Sequence, residues 1–203
     1  MKTPPHGLGT RLAHGALAAA VILQVGSSLF MQVPRADRPA NLAFEMHETV
    51  GALALALALV FWAVVILRIA GTDAGRLFPW VSGVRLAALR ADIVAHWRAL
   101  RRLRLPPYEP EGSLSAAVHG LGLLLVSYMA LSGTMYLVAP QVGYAESGVL
   151  AVLMDVHCLL GNVVWAYLFG HAGLALVHHF TGGLRLGEMW SFRRKPLTVE
   201  LSE

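Results

Sequence analysis

The sequence is short of charge and almost without cysteine. Of its 203 residues only 14% are charged and 56% are apolar, whereas a soluble domain carries about 25% charged residues. Mean hydropathy is +0.59. The deficit is local, because long apolar runs alternate with short arginine-rich segments, the pattern of a chain that crosses a membrane repeatedly. The single cysteine, Cys158, excludes an internal disulfide. No C-x-x-C-H occurs, which excludes covalent c-type haem attachment, and no C-x-x-C pair is present for zinc or iron–sulfur chemistry. Carboxylates are missing from the middle of the apolar runs. A histidine-lined divalent-metal transporter would want them there, with its ligands gathered at one depth.

What is present is basic charge and histidine. The net charge is +4 and the isoelectric point about 9.6. Nucleic acid is not the expected partner, because the basic residues flank apolar runs and no soluble domain remains to grip a duplex. Membrane topology and contact with lipid explain the charge more simply. Four runs are long enough to cross about 30 Å of hydrocarbon at about 1.5 Å per residue. They cover roughly 10–31, 43–69, 114–139 and 149–180. The expected fold is therefore all-α, an integral membrane four-helix bundle forming a single membrane domain over 1–203. The first run is too long for the apolar core of a signal peptide, and no clean A-x-A site follows it.

Lysine and arginine give the orientation. Lys2 and Arg11 precede or open the first run. Arg76, Arg85, Arg90, Arg98, Arg101, Arg102 and Arg104 lie in the 70–113 connection, with Arg68 at its edge, and Arg185, Arg193, Arg194 and Lys195 follow the fourth run. The opposite side has only Arg35 and Arg38. The positive-inside rule then predicts both termini and the long connection in the cytoplasm. Within that connection Leu86, Leu89, Ile93, Trp97, Leu100 and Leu103 recur at helical spacing between arginines. This reads either as a basic amphipathic helix on the inner leaflet or as a solvated helix packed on the bundle ends. Pro106-Pro107 ends it.

Most of the nine histidines fall inside or at the ends of the apolar runs. His14 lies in the cytoplasmic third of the first span and His47 near the periplasmic start of the second. His157 is near the periplasmic start of the fourth. His171 follows fourteen residues later, about 21 Å deeper and nearly on the same helix face. His178 continues that stripe, while His179 points about 100° away. Span four thus offers one histidine at each of two depths, matched by His47 and His14 respectively. Two imidazoles facing one another at equal depth are what a haem iron needs for bis-histidine ligation, which leaves no open coordination site and suits electron transfer. For any one of these residues, a hydrogen bond to a backbone carbonyl is the competing explanation. Gly51 and Gly161 follow ligand candidates by one turn, and Gly15 and Gly170 adjoin two others, positions where a macrocycle or a neighbouring backbone could come close. His119 stays open between a third-helix ligand, a propionate partner, a quinone donor and a solvated residue. His6 and His96 read as solvated. Glu48 and Asp155 could accept a ligand's second N–H or simply face the interface.

The fourth span, HCLLGNVVWAYLFGHAGLALVHHF from His157 to Phe180, resembles the last helix of the prokaryotic cytochrome b561 family: one histidine, a second fourteen residues on, then a His-His pair. PRADRP from Pro34 to Pro39, followed by His47-x-x-x-Gly51, resembles its first periplasmic loop and second helix, and RLAH from Arg11 to His14 its opening. The resemblance covers all four spans. It implies a bacterial inner-membrane protein with two haem b groups, His14 and His171 holding the cytoplasmic one and His47 and His157 the periplasmic one. Some members pass an electron from superoxide to ubiquinone, and His178 matches the quinone-side residue. Gly15 departs from the tryptophan often found there. The long 70–113 connection is more like that of relatives serving as cytochrome b subunits of hydrogenases or other dehydrogenases.

The expected function is electron relay between a periplasmic one-electron donor, superoxide or a periplasmic redox protein, and membrane quinone. The alternative is a haem-bearing anchor subunit that relays electrons for a partner enzyme. Arg35 and Arg38 could steer an anion, bond headgroups or stabilise their loop.

Overall fold

The computed structural model describes residues 7–67, 74–104, 106, 109, 112–143 and 148–181. Lys2, His6, Arg68, Pro107 and the basic residues from Arg185 to Lys195 lie outside them. Among them six α-helices follow in order: α1 (Leu8–Ser28), α2 (Leu42–Leu67), a short α3 (Ala74–Leu77), α4 (Gly83–Arg101), α5 (Ser113–Val138) and α6 (Gly148–Phe180). Among the described residues four helices, α1, α2, α5 and α6, are long and apolar enough to cross a membrane. A helix bonds its own backbone groups internally, which is what a hydrocarbon solvent requires.

The spanning helices close a ring in which α1 packs on α2, α2 on α5, α5 on α6, and α6 returns to α1 with the lightest contact. The chain is apolar outside as well as in. Leu59, Ile66, Leu67, Leu159, Phe169 and Phe180 all face outward, as expected where lipid is the solvent. The centre is built from small residues, since Ala20, Ala54 and Ala130 meet where α1, α2 and α5 approach. A second cluster, Val65, Leu77 and Leu123, closes the arginine-rich end under Phe61, Trp62 and Phe78. There the Trp62 ring stacks on Phe78 at 5.4 Å, and its indole N–H donates to Ser127 Oγ at 2.9 Å. Gly120 admits the Leu77 carbonyl so closely that any Cβ would overlap it.

Polar side chains fix the connections. Asn41 caps α2 by accepting from the Phe44 N–H at 3.0 Å. It also accepts from the Gln32 N–H at 2.9 Å and donates to the Phe30 carbonyl at 2.8 Å, closing the α1–α2 loop on itself. Within that loop Arg35 and Arg38 exchange both backbone hydrogen bonds, at 2.8 and 3.1 Å. Residues opposed in this way put their side chains on the same face of a tight turn. At the other end of the bundle, α5 begins at Gly112, which has no side chain to cap it. Asp92 of α4 supplies the cap, accepting from the Leu114 N–H at 2.8 Å. Past α5, Pro140 enters a 3-10 turn that ends on Gly143 at φ +83°, a left-handed conformation suited to glycine.

Helix α4 carries the stripe expected in the long connection, but packing divides it. Leu86 and Leu89 are half-buried with Asp92 and His96, whereas Ile93, Trp97 and Leu100 are exposed among the arginines. His96, expected to be solvated, lies against Asp92, its Nδ1 2.9 Å from Oδ1. The carboxylate that caps α5 therefore also holds the histidine one turn along.

Replacing the Asp92 side chain removes the side-chain cap that α5 has among the described residues, and one anchor of α4. Asp92→Ala is expected to cost about 1 kcal/mol, read as a lower thermal midpoint in detergent, together with faster proteolysis within α4. An unchanged midpoint and cleavage pattern would show that α4 is held by its leucines alone.

Candidate functional site

The interior histidines meet two by two. His47 on α2 and His157 on α6 reach across the ring, with centroids 6.4 Å apart and planes at 82°. His14 on α1 and His171 on α6 face one another with centroids 6.3 Å apart and planes at 51°. An imidazole nitrogen binds a first-row metal at about 2 Å, so two trans nitrogens lie about 4 Å apart and their ring centroids roughly 6 Å apart. Both pairs therefore have the separation that an iron between two imidazoles requires. Among the described residues no group of three or more His, Cys, Asp or Glu side chains gathers as a bare-metal site.

In the His47–His157 pair, hydrogen bonds decide which nitrogen is left to bind. Ser132 Oγ donates to the Tyr128 carbonyl at 2.8 Å. With its proton committed, it accepts from His157 Nδ1 at 2.8 Å. Ser27 Oγ likewise donates to the Gln24 carbonyl at 3.0 Å. His47 Nδ1 lies 3.1 Å from that hydroxyl and 3.2 Å from the same carbonyl, which can only accept. The carbonyl contact places the proton on His47 Nδ1, and with Ser132 donating to Tyr128 the same tautomer holds at His157, leaving both Nε2 lone pairs for a metal. The partners are hydroxyls and a carbonyl, not the carboxylates considered from sequence. Asp155 is exposed and Glu48 only half-buried. Gln24 adds a second tie, donating from Nε2 to the His47 carbonyl at 2.7 Å. The same Nε2 sits 3.0 Å from where a Cβ on Gly51 would lie. Gly51 thus makes room for a glutamine. Gly161 and Gly170 have open space where a side chain would start.

The His14–His171 pair is held differently. Tyr167, one turn before His171, stacks on its ring at 5.4 Å and 8°. Gly122 of α5 makes room for Tyr167, since a Cβ there would overlap the phenol. His119, one turn earlier on α5, meets the His171 ring edge-on at 5.1 Å. Its own Nδ1 donates to the Ser115 carbonyl at 2.6 Å. A centroid separation of 5.1 Å leaves no place for a metal between His119 and His171, so His119 packs beside the pair and does not take the place of His14. Arg11, one turn before His14, is buried. His178 is half-buried in the last turn of α6, on the His171 face, and the His179 ring lies tilted at 57° beside Phe180, 5.4 Å away.

Several of these supports were not singled out from the sequence: Gln24, Ser27, Ser132 and Tyr167. Their signal was there in part, as polar groups inside apolar spans. What each one touches depends on how the helices are rotated.

Neither a curated relative nor a solved structure matches the chain. A family model described as prokaryotic cytochrome b561 matches residues 5–192. That match takes in every spanning helix, and the family's work is electron transfer through haem b in the membrane. Multi-pass placement in the bacterial inner membrane agrees with it. The chain belongs to the prokaryotic cytochrome b561 family.

Proposed function

We propose that the chain is a di-haem cytochrome b carrying electrons between a one-electron donor at the His47–His157 end and membrane quinone near the His14–His171 end. The observation that carries this reading is the pair of imidazole couples at metal-bridging separation, 6.4 and 6.3 Å, with one member of each on α6. His14 and His171 would ligate one haem iron and His47 and His157 the other. Haem b held between two histidines supplies one-electron chemistry with no open site for oxygen to bind. Helix α6 spaces the two sites by fourteen residues, about 21 Å of rise. Ser132, Ser27 and the Gln24 carbonyl keep the Nδ1 protons in place, so that Nε2 is the donor atom at both His47 and His157. His178, two turns beyond His171, is the proposed quinone contact.

The arginine-rich end is proposed to face the cytoplasm, with both termini on that side. The donor then approaches from the periplasm, where Arg35 and Arg38 share one face of the α1–α2 turn. That placement suits an anionic donor such as superoxide, drawn towards the nearer haem. A second reading, an anchor subunit serving a partner dehydrogenase or hydrogenase, is favoured by the exposed Ile93, Trp97 and Leu100 on α4, which a docked subunit could cover as well as the inner leaflet could.

A reduced-minus-oxidised spectrum with a pyridine haemochrome assay is expected to give two b haems per chain, and His14→Ala and His47→Ala are each expected to lose one. A folded sample from haem-sufficient cells without haem would sink the proposal. Charge reversal at both Arg35 and Arg38 to Glu is expected to leave haem content unchanged and slow superoxide consumption about tenfold at low salt. An unchanged rate would remove steering, and a protein co-purifying in fixed ratio would favour the anchor reading.

A further inference from the structure

Helix α4 carries two stripes, one residue apart in sequence. Leu86, Leu89, Asp92, His96 and Ala99 are half-buried and recur every three or four residues, forming the side that meets the bundle. Ile93, Trp97 and Leu100 each follow a member of that stripe by one residue, so they stand about 100° further round the helix. All three are exposed, Trp97 at 62%. Leu103, just past the end of α4, is 96% exposed. Its backbone lies in the left-handed region at φ 52°, where a residue with a side chain is disfavoured. Large apolar side chains gathered in this way mark a contact surface.

Cations border that flank. Arg90 comes three residues before Ile93, while Arg98 and Arg101 directly follow Trp97 and Leu100, and all three arginines are exposed. Asp92 is the one acid of α4, and it is turned inward. One of its oxygens accepts from the Leu114 N–H at 2.8 Å and the other lies 2.9 Å from His96 Nδ1. The outer surface of α4 is therefore positive with no acid of its own. The bond to Leu114 also fixes the height of α4. Leu114 stands in the first turn of a membrane span, so the middle of α4 is level with the point where α5 enters hydrocarbon. A helix at that height, apolar on one flank with guanidinium groups beside it, matches the boundary between acyl chains and headgroups. Tryptophan is favoured at the same boundary.

We propose that the flank of α4 formed by Ile93, Trp97 and Leu100, with Arg90, Arg98 and Arg101, is a binding surface for anionic phospholipid. The apolar side chains insert beside acyl chains. The guanidinium groups reach the phosphates, whose oxygens match their paired N–H donors. Net negative lipid is favoured over zwitterionic lipid, because each arginine near the membrane surface adds to the attraction and no exposed acid on α4 opposes it. The proposal needs the spans to lie in a membrane and does not rest on the di-haem reading.

The test uses the full-length protein in nanodiscs of phosphatidylcholine mixed with phosphatidylglycerol. Cys158→Ser removes the native thiol, and Ile93→Cys or Leu100→Cys then carries a nitroxide. Both labels are expected to be relaxed strongly by oxygen and weakly by a water-soluble nickel chelate. A label at Ala95→Cys, exposed on the opposite side of α4, should show the reverse order. Titration of the detergent-solubilised protein with each lipid, followed by native mass spectrometry, should show tighter binding of phosphatidylglycerol than of phosphatidylcholine. Arg98→Gln with Arg101→Gln should weaken the phosphatidylglycerol affinity roughly fivefold per arginine. Arg90→Gln should weaken it by an independent route, should the double variant fail to accumulate. If the Ile93 and Leu100 positions are as open to the chelate as Ala95, α4 stands in water and the proposal is overturned. Shielding that vanishes when a co-purifying protein is removed assigns the flank to a partner subunit and overturns it as well. Equal affinity for the two lipids, or arginine variants that leave it unchanged, removes the anionic site. None of these measurements depends on haem, so failure of the di-haem reading would be seen separately, in the absorption spectrum.

Discussion

An imidazole inside an apolar bundle has no water to bond with, and the arrangement of this protein follows from that constraint. Each interior histidine has two ring nitrogens to satisfy. At His47 and His157 Nδ1 is met by oxygens of α1 and α5, and the two rings stand 6.4 Å apart across the bundle. The serines that accept these protons spend their own on carbonyls of their own helices. That leaves their lone pairs turned outward, each able to serve as an acceptor at a fixed point. A hydroxyl that is a minor liability within a helix thus becomes the part that sets the register between helices.

The same constraint explains why the bundle is built from small residues at its centre and large ones at its rim. Alanines where α1, α2 and α5 meet bring the backbones close on one side of the ring. On the other side α1 and α6 touch only lightly, which is where His14 and His171 stand 6.3 Å apart. Gly122 lets Tyr167 settle against α5, and Tyr167 in turn supports the flat of the His171 ring. Aromatic packing thereby supports the His171 ring, and hydrogen bonds hold His47 and His157.

Outside the membrane core the chain is stitched by few polar side chains, each serving more than one element. Asn41 closes a loop and caps α2. Asp92 caps α5 and holds His96. The second case ties the arginine-bearing helix α4 to the span that carries His119 and Ser132. The exposed face of α4 is therefore joined through one carboxylate to the first turn of α5.

The number of spanning helices, their approximate ends and the spacing of the histidines along them were determined by the sequence alone. Run length, hydropathy and helical rise are local quantities, and lipid leaves a chain little choice but helix. The fourteen-residue interval in α6 belongs to the same class, as does the likeness of His157 to Phe180 to a family pattern. Which rings meet was decided only by the tertiary structure. Depth alone allowed His119 or His14 opposite His171, and only the rotation of α5 against α6 put His119 at 5.1 Å beside the ring while His14 faces it at 6.3 Å. The carboxylates next to the ligand candidates in sequence proved not to be their partners, because neighbours along a helix point about 100° apart while residues on facing helices converge. Likewise α4 carries an apolar stripe in its sequence, but packing against α5 divided it into a bound and a free face. Helix periodicity fixes what a residue could face, and the packing of neighbouring helices fixes what it does face.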